Sequence, residues 1–251
     1  MDEVKSGQQQ KADNDLVLSF LSVRRAIGAM GFFLPLALHS YGVLWSGDLL
    51  PSISAYYYSP MREVLVGSLC AQAVFLWSYE GYRPPVPELI TDKRVARIAA
   101  LGALGVALSP TLPRGTAIIA TDHAAACKTI PITLIQCLLG EGRASWIHNI
   151  AAFLFFGALA VFCLILFVKG TTETAEKRAR HRIYRTCGWT IVASLIVMGA
   201  LIVTGWDDRL QDWQPIFWLE VLASFAFATS WAVKGEAMQP LVAMAVRAGS
   251  T

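Results

Sequence analysis

Residues 147–168 read IHNIAAFLFFGALAVFCLILFV, twenty-two positions without a lysine, arginine, aspartate or glutamate. A helix rises ~1.5 Å per residue, so a run of this length reaches about 33 Å and crosses the ~30 Å hydrocarbon core of a bilayer. That reading decides the class, an all-α membrane protein, and the rest of the chain is read outward from it.

Five further segments are apolar over a comparable length: 26–45, 64–82, 95–111, 187–206 and 216–233. The composition agrees, with 55% of residues apolar and 16% charged, where soluble domains run at about 45–50% and about 25%. The expected architecture is a polytopic bundle of six transmembrane helices with both termini cytoplasmic. Residues 1–24 form a cytoplasmic N-terminal tail, 25–234 the bundle, and 235–251 a cytoplasmic C-terminal tail. The segment 95–111 is the weakest of the six. It is short, carries Arg97, and is rich in small residues (Gly102, Ala103, Gly105, Ala107) that permit close helix approach. It is therefore expected to be a central helix shielded from lipid.

Orientation follows from lysine and arginine, which concentrate on the cytoplasmic side of membrane proteins. With the N-terminus inside, sixteen of the 21 lysines and arginines flank the cytoplasmic ends and five remain outside. One missed crossing would scramble every later loop, so the asymmetry supports six. Tryptophan and tyrosine favour the headgroup level. Trp45, Trp146, Trp206, Trp213 and Trp218 fall near outer ends in this threading, and Trp77, Trp189 and Trp231 near inner ends. The polar, acidic start of the chain lacks the pattern of a cleaved signal peptide, so the first span is expected to remain as an anchor.

The chemistry divides between the two faces. Inside, Lys177–Arg185 reads KRARHRIYR, a basic cluster that either fixes topology or attracts anionic lipid. Outside lie eight of the acidic residues and His39, His123 and His148. Two ionisable groups fall within spans. His39 lies six residues before Trp45, ~9 Å below the outer belt, and Glu220 lies near the start of the last span. Ionisable groups in a bilayer are costly and mark candidate sites, although a hydrogen bond to a neighbouring helix would serve as well. Between the first two spans, residues 50–62 read LPSISAYYYSPMR, with three tyrosines bracketed by Pro51 and Pro60. Ser52, Ser54 and Ser59 supply hydroxyls there, and Arg62 and Glu63 open the second span. Arg62 is either a clamp for a carboxylate or phosphate, or the partner of Asp207, Asp208 or Glu220.

These residues define the expected site: His39, Tyr56, Arg62, Glu63, His148 and Glu220 around an outward-facing pocket for a lipid headgroup or small polar ligand, with no cofactor. Cys127 and Cys137 lie ten residues apart in the long outer loop 113–145 and are expected to form a disulfide on an oxidising face. GxxxxGK[ST], GxGxxG, HExxH, CxxC and GxSxG are all missing, so no nucleotide, zincin, thioredoxin or hydrolase-elbow motif is legible. A net charge of +3 is too small for a nucleic-acid footprint. A small-molecule transporter is a further alternative, for which Pro35 offers a helix break. Homo-oligomerisation is compatible with the sequence.

The texts PSISAYYYSPMREVLVGSL, WIHNIAAFLFF, KRARHRIYRTCG and PIFWLEVLASFAFATSWAVKG resemble a bacterial family of six-helix inner-membrane proteins. That family is itself loosely similar to the DRAM/Sfk-type proteins of lipid homeostasis. The resemblance runs from about Ala26 to Lys234, outside the 113–145 loop, and rests at the site on Ser52, Ser54, Tyr56, Arg62, His148 and Glu220. It implies a multi-pass protein of the bacterial inner (plasma) membrane with membrane lipids as partners, and implies no activity. A more distant likeness, to the ceramidase/progestin-receptor-like zinc hydrolases, implies intramembrane hydrolysis with zinc on His39, His148 and Asp207. The chain departs from that group in having six spans and no HxxxH pair.

Overall fold

The computed structural model describes residues 15–82, 84, 86, 88–111 and 133–249. Every regular element among them is helical. α1 (Asp15–Tyr41) runs on through a π-helical turn, Gly42–Ser46. A 3₁₀ turn at Ser54–Tyr58 leads to α2 (Arg62–Ser78). There follow α3 (Asp92–Leu108), the short α4 (Leu134–Leu139) and α5 (Glu141–Val161), which closes in a π-helical turn, Phe162–Leu166. α6 (Ala175–Thr204), the single turn α7 (Trp206–Arg209), α8 (Pro215–Lys234) and α9 (Gln239–Arg247) complete the chain.

Among the described residues, four helical segments are long and apolar enough to cross a membrane: Phe20–Ser46, Glu141–Leu166, Ala175–Thr204 and Gln211–Lys234. α2 and α3 are shorter, at 17 residues each. Local chemistry sets the boundaries. The Thr91 hydroxyl accepts the Arg94 amide and starts α3, three residues before the apolar run begins. Thr174 starts α6 in the same way through the Lys177 amide. Gly205, at φ 67°, ends α6 in the left-handed region that glycine enters without strain. Pro35 does not break α1, which continues helically through it; the irregular turns are the π segments instead.

The long helices pack in a closed circuit, α1 on α2, α2 on α3, α3 on α5, α5 on α6, α6 on α8, and α8 back on α1. α3 lies against α5 through its small residues. A Cβ on Gly102 would come within 2.7 Å of the Phe155 amide nitrogen, so only glycine fits there. Its opposite face is not shielded, because Ile98, Leu101, Leu104 and Leu108 are exposed. The expectation of a central helix is thereby corrected: the Gly/Ala stripe covers one side only and makes α3 a tightly packed outer member. The basic end of the bundle is closed by an aromatic core in which Trp231, with no exposed surface, meets Tyr79, Phe162 and Phe167 at centroid distances of 4.9–5.3 Å. Trp231 is therefore core rather than belt, whereas the other seven tryptophans are exposed.

The basic run on α6 acts on helix ends. Arg180 donates to the Val233 carbonyl at 3.1 Å and Arg182 to the Ala245 carbonyl at 2.6 Å. Both complement the negative C-terminal ends of α8 and α9.

Candidate functional site

At the opposite end of the bundle, the segment between α1 and α2 folds down onto α8 and α5. Proline at both ends forbids a continuous helix across it. The backbone is instead anchored in two places: Phe217 donates its amide to the Pro51 carbonyl at 3.1 Å, and Ile53 donates its amide to Glu220 Oε2. Ser52 Oγ accepts the Ala55 amide at 3.0 Å and turns the chain. Ser54, the residue after the Glu220 anchor, is thereby buried at the mouth of the bundle.

Ser54 Oγ lies 2.8 Å from His148 Nε2 on α5. The other ring nitrogen, His148 Nδ1, lies 2.6 Å from the Ser109 carbonyl oxygen at the end of α3. A carbonyl only accepts, so Nδ1 carries the proton and Nε2 presents its lone pair to the Ser54 hydroxyl, which donates. Ser109 is fixed in turn, its hydroxyl donating to the Ala144 carbonyl at 2.8 Å. One chain of polar contacts thus ties the turn, α3 and α5.

Ser54 and His148 line a cavity of about 700 Å³. Its polar end holds Ser52, Ser54, His148, Asn149 and Glu220, and its walls are apolar, with Phe153 and Phe156 from α5 and Leu195, Met198 and Ile202 from α6. Phe153, Ile196 and Ile202 are 67%, 66% and 56% exposed, so the cavity opens along the apolar seam between α5 and α6. A second void of about 50 Å³ lies behind the same wall, inside the bundle; Ser54, His148 and Glu220 border both. Gln72 lines this inner void with its Nε2 buried and without a hydrogen-bond partner.

The chain matches no protein-family model, no curated protein and no solved structure. The site is therefore read from its geometry.

Of the residues singled out in the sequence, His148 and Glu220 meet at this cavity. The other four lie outside its lining. His39 stacks beside Trp218 at 5.4 Å and Phe217 at 6.4 Å. Tyr56 has no exposed surface and packs between Tyr41 and Phe217, where burial pushes its phenol above the ordinary range. Arg62 lies over the Tyr57 ring at 4.5 Å and donates to its hydroxyl at 3.2 Å, so its guanidinium is turned to a tyrosine rather than to the cavity. Glu63 points out from the first turn of α2 and is exposed. Tyr58, not Tyr56, reaches the rim: it donates to the Thr111 carbonyl at 2.6 Å and accepts from Gln136 Nε2 at 2.9 Å. Burial also raises the Tyr58 phenol, against the opposing Gln136 hydrogen bond.

Cys137 is disulfide-bonded, whereas Cys70, Cys163 and Cys187 are free thiols; Cys127 lies outside the described residues, as does His123. Among the described residues no three His, Cys, Asp or Glu side chains are grouped to hold a metal ion. His39, His148 and Asp207 do not form a zinc site, and both nitrogens of His148 are already engaged.

The sequence offers Ser54 as one of several hydroxyls and as one of the positions carrying the resemblance, and gives no sign of Ser109 or Asn149. None belongs to a spaced motif. The signal available was the pairing of a polar turn with a lone histidine at the start of a long apolar run, which identifies neither the partner nor the contact.

Proposed function

We propose that the chain is a six-span membrane protein, with both termini cytoplasmic, whose outward-facing cavity holds the polar part of a membrane lipid. Spans of 17 residues for α2 and α3 lie at the lower limit of ~17 for a crossing. The threading is supported by the lysine and arginine asymmetry and by exposed Trp45, Trp146, Trp206, Trp213 and Trp218 near one end of the bundle.

The observation that carries the ligand class is the division of the cavity into a polar end and apolar walls that open sideways between α5 and α6. Pockets with a few convergent polar groups on an apolar lining favour amphipathic ligands. Acyl chains reach such a seam directly from the bilayer, while the headgroup meets Ser52, Asn149 and Glu220. Glu220 is the one charged side chain lining the cavity among the described residues. With Arg62 turned to Tyr57, this favours a headgroup that carries an ammonium over a purely anionic one. The resemblance to DRAM/Sfk-type proteins of lipid homeostasis points the same way.

Native mass spectrometry of the protein released from detergent tests the reading. Wild type is expected to retain a lipid, preferentially phosphatidylethanolamine over phosphatidylglycerol when both are supplied. Met198→Trp fills the cavity from α6 and is expected to abolish retention. Equal retention by both proteins would overturn the assignment of the lipid to this cavity.

A further inference from the structure

We propose that this cavity is also a reaction site: Ser54 is the nucleophile and His148 the general base of a hydrolase acting on long-chain carboxylic esters. The inference rests on the cavity reading above and goes beyond it by assigning a reaction. Its basis is the combination of three facts. The Ser54 hydroxyl and His148 Nε2 are 2.8 Å apart, within the range for a serine activated by an adjacent imidazole. The Ser109 carbonyl, 2.6 Å from Nδ1, fixes the tautomer that leaves Nε2 basic. Both side chains border the large cavity rather than being sealed in the core.

A buried serine and histidine also satisfy one another's hydrogen bonds in purely structural settings. Here the supporting shell goes further. Glu220 holds the Ile53 amide, and Ser109 is tied to the start of α5, so the nucleophile and the base are each positioned by a separate contact. Such a doubly braced pair at the polar end of an apolar cavity is what acyl transfer requires. Its depth is also suitable. His148 lies seven residues into α5, ~10 Å from its start, level with the exposed Trp146 that marks the headgroup region. The carboxylic esters of a lipid lie at that level, below its headgroup.

The steps balance as follows. Ser54 Oγ adds to the ester carbonyl carbon while its proton passes to His148 Nε2. The tetrahedral oxyanion is met by the Asn149 side-chain amide, which lines the same cavity. The C–O bond to the alcohol then breaks, and the alcohol leaves with the proton from the imidazolium. Water from the open mouth gives a proton to His148 and adds to the acyl carbonyl. The acyl–Oγ bond breaks, Ser54 regains the proton, and the products are one carboxylic acid and one alcohol.

A fluorophosphonate bearing a long alkyl chain, applied to the full-length protein in detergent, provides the test. The expected result is a covalent adduct on Ser54, located by peptide mass spectrometry, and release of p-nitrophenolate from p-nitrophenyl dodecanoate. Ser54→Ala is expected to abolish both. His148→Gln keeps a hydrogen-bonding side chain without a base and is expected to label about 100-fold more slowly or worse, without the wild-type pH inflection. A wild-type protein that retains lipid but acquires no adduct on Ser54 would overturn the reaction and leave the binding site standing. Loss of lipid retention together with a labelled Ser54 would overturn the lipid reading and keep the nucleophile.

Discussion

Glu220 of α8 accepts a hydrogen bond from the backbone amide of Ile53, 167 residues away in the chain. Ile53 immediately precedes Ser54, so this contact fixes where the serine hydroxyl stands relative to α5. A carboxylate inside an apolar helix here serves as a backbone anchor.

Removing the anchor leaves the Ile53 amide without its acceptor in a half-buried setting, which costs about 1–3 kcal/mol. Glu220→Ala is therefore expected to lower the thermal unfolding midpoint in detergent. Glu220→Gln, which keeps an acceptor oxygen, is expected to recover most of the loss. An Ala variant as stable as wild type would show that the turn is held by its other contacts.

The α3–α5 contact depends on a missing side chain. Gly102→Leu places atoms where the Phe155 backbone already lies, and overpacking of this kind costs about 1–3 kcal/mol or more. Gly67→Leu on α2 meets open space and is expected to be neutral. Thermal midpoints of the two variants in the same detergent check the contrast.

Tryptophans at the two kinds of position separate in the same assay. Trp231→Ala empties a site with no exposed surface among Tyr79, Phe162 and Phe167, and is expected to cost about 3–5 kcal/mol. Trp213, 78% exposed, is expected to tolerate alanine with little change.

Tyr58 gives the turn a pH limit. Its phenol is raised above the ordinary ~10 by burial. A group raised on folding contributes stability below its unfolded pKa, and that contribution is lost as pH rises through the folded value. Stability is thus expected to fall above pH ~10, as tyrosinate formation removes the proton donated to the Thr111 carbonyl. Tyr58→Phe is expected to be less stable at neutral pH and to lose less on going alkaline. Unfolding midpoints measured across the alkaline range test this, and parallel curves for the two proteins would contradict it.

Labelling with a membrane-impermeant maleimide checks the threading in a background lacking the free thiols. Cysteine at Trp213 is expected to react from outside, and cysteine at Trp189 only after the membrane is opened. Reaction of both from the same side would remove the six-span reading.

The helices were legible because an apolar run must satisfy its backbone hydrogen bonds within itself, whatever surrounds it. Residues 147–168 therefore read as helix before any neighbour is known, and caps such as Thr91 set where α3 starts. The rotation of each helix was not legible. α3 carries small residues on one side and Ile98, Leu101, Leu104 and Leu108 on the other, and composition alone does not say which helix covers the small face. The same held for Arg62, whose partner is the tyrosine five residues before it.

The linear chain by itself determined that this protein is helical and apolar enough to enter a membrane, and that its hydroxyls, carboxylates and imidazoles cluster near a few helix ends. Only tertiary packing decided that Ser54, His148 and Ser109 form one hydrogen-bonded array beside a cavity. Hydropathy acts residue by residue along the backbone, whereas contacts across 94 and 39 positions depend on how close glycine and alanine faces let the helices come.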